Sequence, residues 1–278
     1  MENNSIEIDN IKKFSKNLRK KILLMAYSAG SSAAHIGGAL SIAEIVSVLY
    51  GAVMNFDKNL EQINSRDRFI LSKGHACLAL YAALNLKGLI TDEELLTFEK
   101  KNSPLLGHPV INQEKGIEFS TGSLGMGLSI GIGTAIGFKK KKETKRKVYV
   151  IIGDGESNEG SIWESAMAAP NFSLDNLVVI LDKNNFQQTG SNNEIMKNEL
   201  LKSKWESFGW NCYEIDGHKF DTLLSTLRLN ENNGKPKFII ANTVKGKGIH
   251  FTENDNKWHH SILTKSKYEE AIKQLNDE

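Results

Sequence analysis

The stretch Val148-Tyr-Val-Ile-Ile-Gly153-Asp154-Gly155-Glu156-Ser-Asn-Glu159-Gly160 runs an apolar, β-branched segment straight into an acid flanked by glycines. A second such segment, Leu177-Val-Val-Ile-Leu, leads into Asp182-Lys-Asn184, so Asn184 stands thirty residues after Asp154. Both segments are apolar nearly throughout rather than alternating, the pattern of strands buried on both faces, as in parallel sheets. Working outward, 68–71 and 238–243 read the same way. Between these strands lie helix candidates at roughly 11–27, 40–53, 76–87, 92–100, 123–138, 160–169, 198–207 and 219–229, with a last one at about 264–276. Strands spaced by helices imply right-handed crossovers and an α/β fold: a doubly wound, mostly parallel sheet with helices on both faces. No internal repeat or Pro/Gly/Ser linker interrupts the pattern, and residues 1–278 are expected to form a single domain.

Composition narrows the function. Thirty-five Lys and Arg against 33 Asp and Glu leave a net charge of only +2, which removes a whole-protein electrostatic case for nucleic acid or an anionic membrane. No apolar run approaches the roughly 20 residues of a spanning helix. The polar, acidic start is unlike a secretory signal. Cys77 and Cys212 offer neither a disulfide framework nor metal-ligand spacing. A soluble cytoplasmic protein is expected. The cationic run 139–147, KKKKETKRK, has no aromatic residue and reads as a solvated helix end, where cations suit the dipole. The glycines from Gly122 to Gly137 suggest a helix packed closely on another backbone, with its N-terminus free to meet an anion. They match neither a phosphate-binding P-loop nor a dinucleotide fingerprint.

The chemistry gathers around Asp154. Asp154 and Asn184 both follow strands, which places them at the carboxyl edge of the sheet, where open α/β folds bind ligands. One carboxylate and one amide oxygen are hard ligands suited to Mg²⁺ or Ca²⁺. Gly155 would open a helix whose N–H groups face a phosphate. A lone Gly-Asp-Gly fits a tight strand-to-helix turn equally well; Asn184 at a matching strand end weakens that reading.

Gly-Asp-Gly followed by about 28 residues and Asn resembles the thiamine-diphosphate signature. GDGESNEGSIWESA and LDKNNFQQTG are similar to transketolase in particular. So are HIGGALS at His35, SKGHACLALYAAL from Lys73, GHPV at Gly107, STGSLGMGLS at Ser120 and KGKGIHFTENDNKWHH near the end. The resemblance covers the diphosphate-binding half of a transketolase and then stops, as in the N-terminal subunit of split transketolases. It implies ketol transfer with thiamine diphosphate and Mg²⁺ (or Ca²⁺), and a separately encoded subunit that supplies the pyrimidine-binding domain, in an α2β2 assembly. It also implies that Asp154, Asn184 and the main-chain carbonyl of Phe186 hold the metal. Gly155, with Gly153, Glu156 and Lys245, would serve the diphosphate. His75 and His259 would contact the diphosphate and the reacting carbon, while Gly122, Ser123 and Leu124 face the pyrimidine and thiazolium side. His35 and His108 would bond the C1 and C2 oxygens of a ketose, and Glu159 and Glu164 would lie at the subunit interface.

The chain departs from the family pattern at Ile36 and Ser123, where proline is common, and at Met126, where glutamine is frequent. His260 replaces a small residue, often glycine. His218 and His250 have no implied role and are expected in solvated loops; Cys77 is expected to be a small buried residue. Two other readings stay open. The α-subunit of a 2-oxo acid dehydrogenase shares the GDG…N signature, though the separate histidine motifs favour transketolase. A non-catalytic relic that binds the cofactor without turnover is the other.

Overall fold

In the computed structural model, which describes residues 2–56, 65–143, 145–231 and 233–277, the apolar runs form one sheet. Its strands are β1 (Arg68–Leu71), β2 (Val148–Gly153), β3 (Leu177–Lys183), β4 (Asn211–Asp216) and β5 (Lys237–Asn242), in the order β1-β2-β3-β5-β4. All pairings are parallel. In chain order the helices are α1 (Glu2–Ser28), α2 (Ile36–Leu40), α3 (Ala43–Val48), α4 (Cys77–Leu86), α5 (Asp92–Leu95) and α6 (Met126–Lys140). They continue as α7 (Gly160–Asn171), α8 (Asn192–Ile195), α9 (Leu201–Phe208), α10 (Phe220–Arg228) and α11 (Lys265–Asp277). No helix of the described residues is long and apolar enough to cross a membrane.

The continuous apolar strands are explained by two cores, one on each face. Tyr149, Ile151, Val178, Ile180, Ile239 and Ala241 join the core built with α1, α3, α4 and α10. Their alternates Val150, Ile152, Val179, Leu181, Phe238 and Ile240 join the core under α6, α7 and α9. In that second core Trp205 of α9 stacks on Phe238 at 3.8 Å and 3°, a contact of about 0.5–1.5 kcal/mol beyond its buried area. The helices of β2–α7–β3 and β3–α9–β4 cover this face. The return connection through α10 runs the other way across the sheet and covers the opposite face, as right-handed crossovers demand.

The glycine-rich segment forms α6, and its glycines face two ways. A Cβ on Gly127 would lie 2.5 Å from the Ser72 side chain, and one on Gly131 would lie 2.6 Å from Val150 Cγ2. These two let the helix settle on the end of β1 and the middle of β2. Gly133 and Gly137 face open space.

Several expectations need correction. Asn211–Asp216 is a strand that the apolar-run criterion passes over, because as the sheet edge it is half exposed and carries Asn, Glu and Asp. The first helix begins at Glu2 rather than 11. The 92–100 helix stops at Leu95, where turns take over and Glu99 adopts φ 59°. The 40–53 helix divides into α2, α3 and a π-helical turn over Leu49–Val53. In the cationic run, whose residue 144 lies outside the described residues, Lys139 pairs with Asp175 at 2.9 Å. Arg146 is instead buried, 3.8 Å over the Phe138 ring.

Register places the site. Gly153 is level with Asp182, and Asp182 with Ala241, so the carboxyl ends of β2, β3 and β5 share one edge.

Candidate active site

At that edge a cleft of about 360 Å³ takes side chains from the loops after β1, β2, β3 and β5. Among its lining residues are all four family-pattern histidines, His35, His75, His108 and His259, together with Asp154, Asn184 and Phe186.

Asp154 is 2% exposed. Its carboxylate accepts from Gly155 N at 3.0 Å, Asn185 N at 2.6 Å and Asn192 Nδ2 at 2.8 Å. All three donors are neutral. Burial, and then the charge of Asp182, push the carboxyl up to about 6. A buried acid in this state gains most from a cation. The Asn184 side chain is oriented at both ends: Nδ2 donates to Asp182 Oδ2 at 2.8 Å and Oδ1 accepts from Phe186 N at 3.0 Å. A carboxylate and an amide oxygen are hard donors of the kind that suits Mg²⁺ or Ca²⁺, and Phe186 lines the cleft beside them.

Beneath this pair lies a hub that sequence reading missed. Asp182 is fully buried and accepts from Lys73 Nζ, from Ser41 Oγ at 2.7 Å, from Asn184 Nδ2 and from Thr243 Oγ1. One carboxylate therefore joins the ends of β1, β3 and β5 to the loop before α3. Lys73 also donates to Gly38 O at 2.8 Å.

Lys245 presents the opposite situation. It is 2% exposed, and its ammonium meets Asn256 Oδ1 at 2.5 Å and His259 Nδ1 at 3.0 Å. Among the described residues it makes no ion pair, and burial followed by the Lys73 charge lowers it to about 8. A buried cation with neutral acceptors only calls for an anionic ligand. An acid that wants a cation and an ammonium that wants an anion thus line the same cleft, the donor pattern that fits a metal diphosphate.

Three of the imidazoles, His35, His75 and His259, are held neutral. The His35 ring lies 5.4 Å from His75, 5.9 Å from His108 and 5.3 Å from His259, centroid to centroid. Burial lowers His35 to about 3, helped by His260 and then His259. His259 falls to about 4 through burial and Lys245, and His75 sits well below the ordinary value through burial and Lys73. With Lys245 donating to Nδ1, the remaining proton of His259 belongs on Nε2. A neutral ring can both give and accept a proton bond, which is what substrate oxygens and proton transfer require.

The glycines and Glu156 shape the floor. A Cβ on Gly74 would come within 2.8 Å of the Thr121–Gly122 backbone, so the turn before His75 and the loop bearing Gly122 and Leu124 touch main chain to main chain. Gly155 opens a three-residue 3-10 turn, Glu156–Asn158, and not a helix; α7 begins only at Gly160. The α6 N-terminus is not free either. Glu156 occupies it, accepting from Gly125 N at 2.8 Å while also binding Ser72 Oγ and Gly153 N. Both oxygens of Glu156 are thus spent on the protein. Gly153, Glu156 and Glu159 line the cleft, Ser123 is exposed beside it, and Glu164 is exposed on α7.

The remaining histidines divide. His218 is not a solvated-loop residue: Nδ1 meets Glu44 Oε2 at 3.1 Å and Nε2 accepts from Val244 N at 2.8 Å, just before Lys245. His250 lies on the surface against Glu270 and Gln274. His260 packs on His35, at 4.4 Å. Cys77 is buried beside Gly107 O at 3.1 Å, and burial pushes its thiol up.

Residues 15–277 match the family described as transketolase, thiamine diphosphate binding domain. An apulose-4-phosphate transketolase subunit of Phocaeicola vulgatus is 40% identical over 273 residues, covering 98% of this chain and 96% of its own length. A 6-deoxy-6-sulfo-D-fructose transketolase subunit of a Clostridium species is 41% identical over 245 residues, covering 88% and 89%. Among solved structures, transketolase from Leishmania mexicana is similar with a TM-score of 0.89 at 26% identity, over 96% of this chain and 41% of that one. The chain therefore spans about two fifths of that solved enzyme and nearly the whole of the subunit-sized relatives.

Proposed function

Because the chain belongs to the transketolase family through its thiamine diphosphate binding domain, we propose that it is the diphosphate-binding subunit of a split transketolase. It moves a two-carbon ketol unit from a ketose, free or phosphorylated, to an aldose acceptor. Family membership sets aside the 2-oxo acid dehydrogenase reading. The observation that carries the proposal is the pairing, in one cleft lined by four histidines, of buried Asp154 with neutral donors and buried Lys245 with neutral acceptors.

Thiamine diphosphate, when bound, supplies the carbanion sink that cleavage between C2 and C3 of a ketose needs. The chain's own residues do the rest. Asp154, Asn184 and the Phe186 carbonyl hold the divalent metal. Lys245, His75, His259 and the backbone at Gly155 hold the diphosphate. Gly122, Ser123 and Leu124 support the pyrimidine and thiazolium side, and Gly153 and Glu156 brace the floor. His35 and His108 bond the ketose oxygens. The neutral state of His35 lets its ring accept as well as donate, and its contact with the His108 ring keeps the two oriented.

A cytoplasmic α2β2 heterotetramer with a separately encoded pyrimidine-binding subunit completes the proposal, with Glu159 and Glu164 at the interface. The relatives named as subunits of transketolases support that division of labour. The test mixes the purified chain with the candidate partner in a coupled ketol-transfer assay across a panel of ketose donors, alongside light scattering on the eluting species. Turnover should appear on mixing only. Full turnover by this chain alone refutes the subunit reading, and a mixed complex that binds thiamine diphosphate without turnover makes the protein a relic.

A further inference from the structure

His260 stands beside His35 because the backbone puts it there. Ala34 N donates to Ser261 O at 3.1 Å and Ser261 N to Ala34 O at 3.0 Å, an isolated antiparallel bridge. In antiparallel register the next facing pair is residue 35 with residue 260, a non-hydrogen-bonded position where side chains approach most closely. The rings accordingly lie 4.4 Å apart at 48°, nearer than any of the other three imidazoles comes to His35. His260 is exposed where His35 is half-buried, so it forms the solvent side of the cluster. Among the described residues its ring nitrogens have no hydrogen-bond partner, unlike those of His218, His250 and His259.

We propose that His260 is a specificity-determining residue of the ketol-transfer site, whose ring hydrogen-bonds the sugar oxygen next beyond the two held by His35 and His108. This rests on the transketolase reading above. A neutral imidazole offers one donor and one acceptor, which matches a hydroxyl that is both. The bridge fixes the backbone beneath it, so little freedom is lost when a sugar arrives. A ring that only walled the channel would need bulk and not nitrogen.

The experiment uses the complex of this chain with its partner subunit and separates bulk from hydrogen bonding. His260→Phe keeps the size without the nitrogens; His260→Asn keeps polar atoms at smaller size; His260→Gly removes both. Loss of one neutral hydrogen bond should lower kcat/KM for the ketose by about 5- to 10-fold, mainly through KM. His260→Phe and His260→Gly should both show that loss, and His260→Asn should recover most of it. The thiamine diphosphate titration should be unchanged in all three, since the ring lies on the sugar side. If His260→Phe matches the wild type, or if all three variants do, the inference is overturned while the wild-type activity still supports the transketolase reading. A wild-type complex without ketol transfer overturns that reading, and this inference with it.

Discussion

Lys73→Met should be among the most damaging single changes in the protein, although Lys73 is at most a minor part of the cleft surface. The residue is 1% exposed and its ammonium serves Asp182, which is fully buried. Removing the cation leaves a carboxylate supported only by the neutral donors of Ser41, Asn184 and Thr243. Breaking one side of a buried pair costs about 3–5 kcal/mol, because the stranded charge keeps its desolvation penalty. For a chain of this size each kcal/mol moves the melting temperature by about 2–4 °C, so a drop on the order of 6–20 °C is expected. Asp182→Asn should fall by a similar amount, since it strands the ammonium instead. The double variant should be more stable than the sum of the two losses implies, because it leaves no buried charge without its partner. A double-mutant cycle followed by calorimetry of the purified chain measures this directly. Strictly additive losses, or a Lys73→Met variant that melts with the wild type, would refute the idea that the pair acts as a buried charge unit.

Three other outcomes follow from the site. Asp154→Ala should abolish Mg²⁺-dependent thiamine diphosphate binding, and Asn184→Ala should weaken it less, because only the former removes a charged ligand; isothermal titration of the complex decides, and wild-type affinity in Asp154→Ala sinks the assignment. His75→Ala and His259→Ala should perturb cofactor binding as well as turnover, whereas His35→Ala and His108→Ala should mainly raise the KM for the ketose; equal loss of cofactor affinity in all four refutes the division. His35 also predicts a pH effect: its folded pKa of about 3 lies below the ordinary 6.5, so as pH falls through 6.5 the unfolded chain takes up this proton first and the wild type loses stability. His35→Asn escapes that loss, and melting curves from pH 7 to 4.5 should shift in its favour; a constant difference contradicts the sign.

Four of the five strands were legible because a parallel sheet covered on both faces needs apolar residues at every position, and such runs stand out. Asn211–Asp216 lacked the signal for the same reason in reverse, since an edge strand answers to solvent. Asp154 and Asn184 were legible through their motif and their places after two apolar runs. Lys73 and Asp182 were not, since they lie 109 residues apart and only the shared edge of β1, β3 and β5 brings them together. His218 looked like a loop residue because Glu44, its partner, is 174 positions away. Glu156 lines the cleft as expected of a residue near the cofactor, while its bonds to Ser72, Gly125 and Gly153 were not legible, since Ser72 and Gly125 are distant in sequence. Local sequence carries turn and strand chemistry, while long-range charge pairing is set by topology.

Helix α6 divides its glycines by consequence. At Gly127 and Gly131 a methyl group would strike Ser72 at the end of β1 and Val150 within β2, so a side chain there is costly for reasons internal to the fold. At Gly133 and Gly137 nothing lies within 4 Å, and each glycine forgoes about 0.4–1 kcal/mol of helix stability that alanine would give. Substituted by alanine, these two sites should make the isolated chain firmer. They are therefore clean reporters: any harm that a small side chain does at either site must come from the company the chain keeps, not from the chain itself.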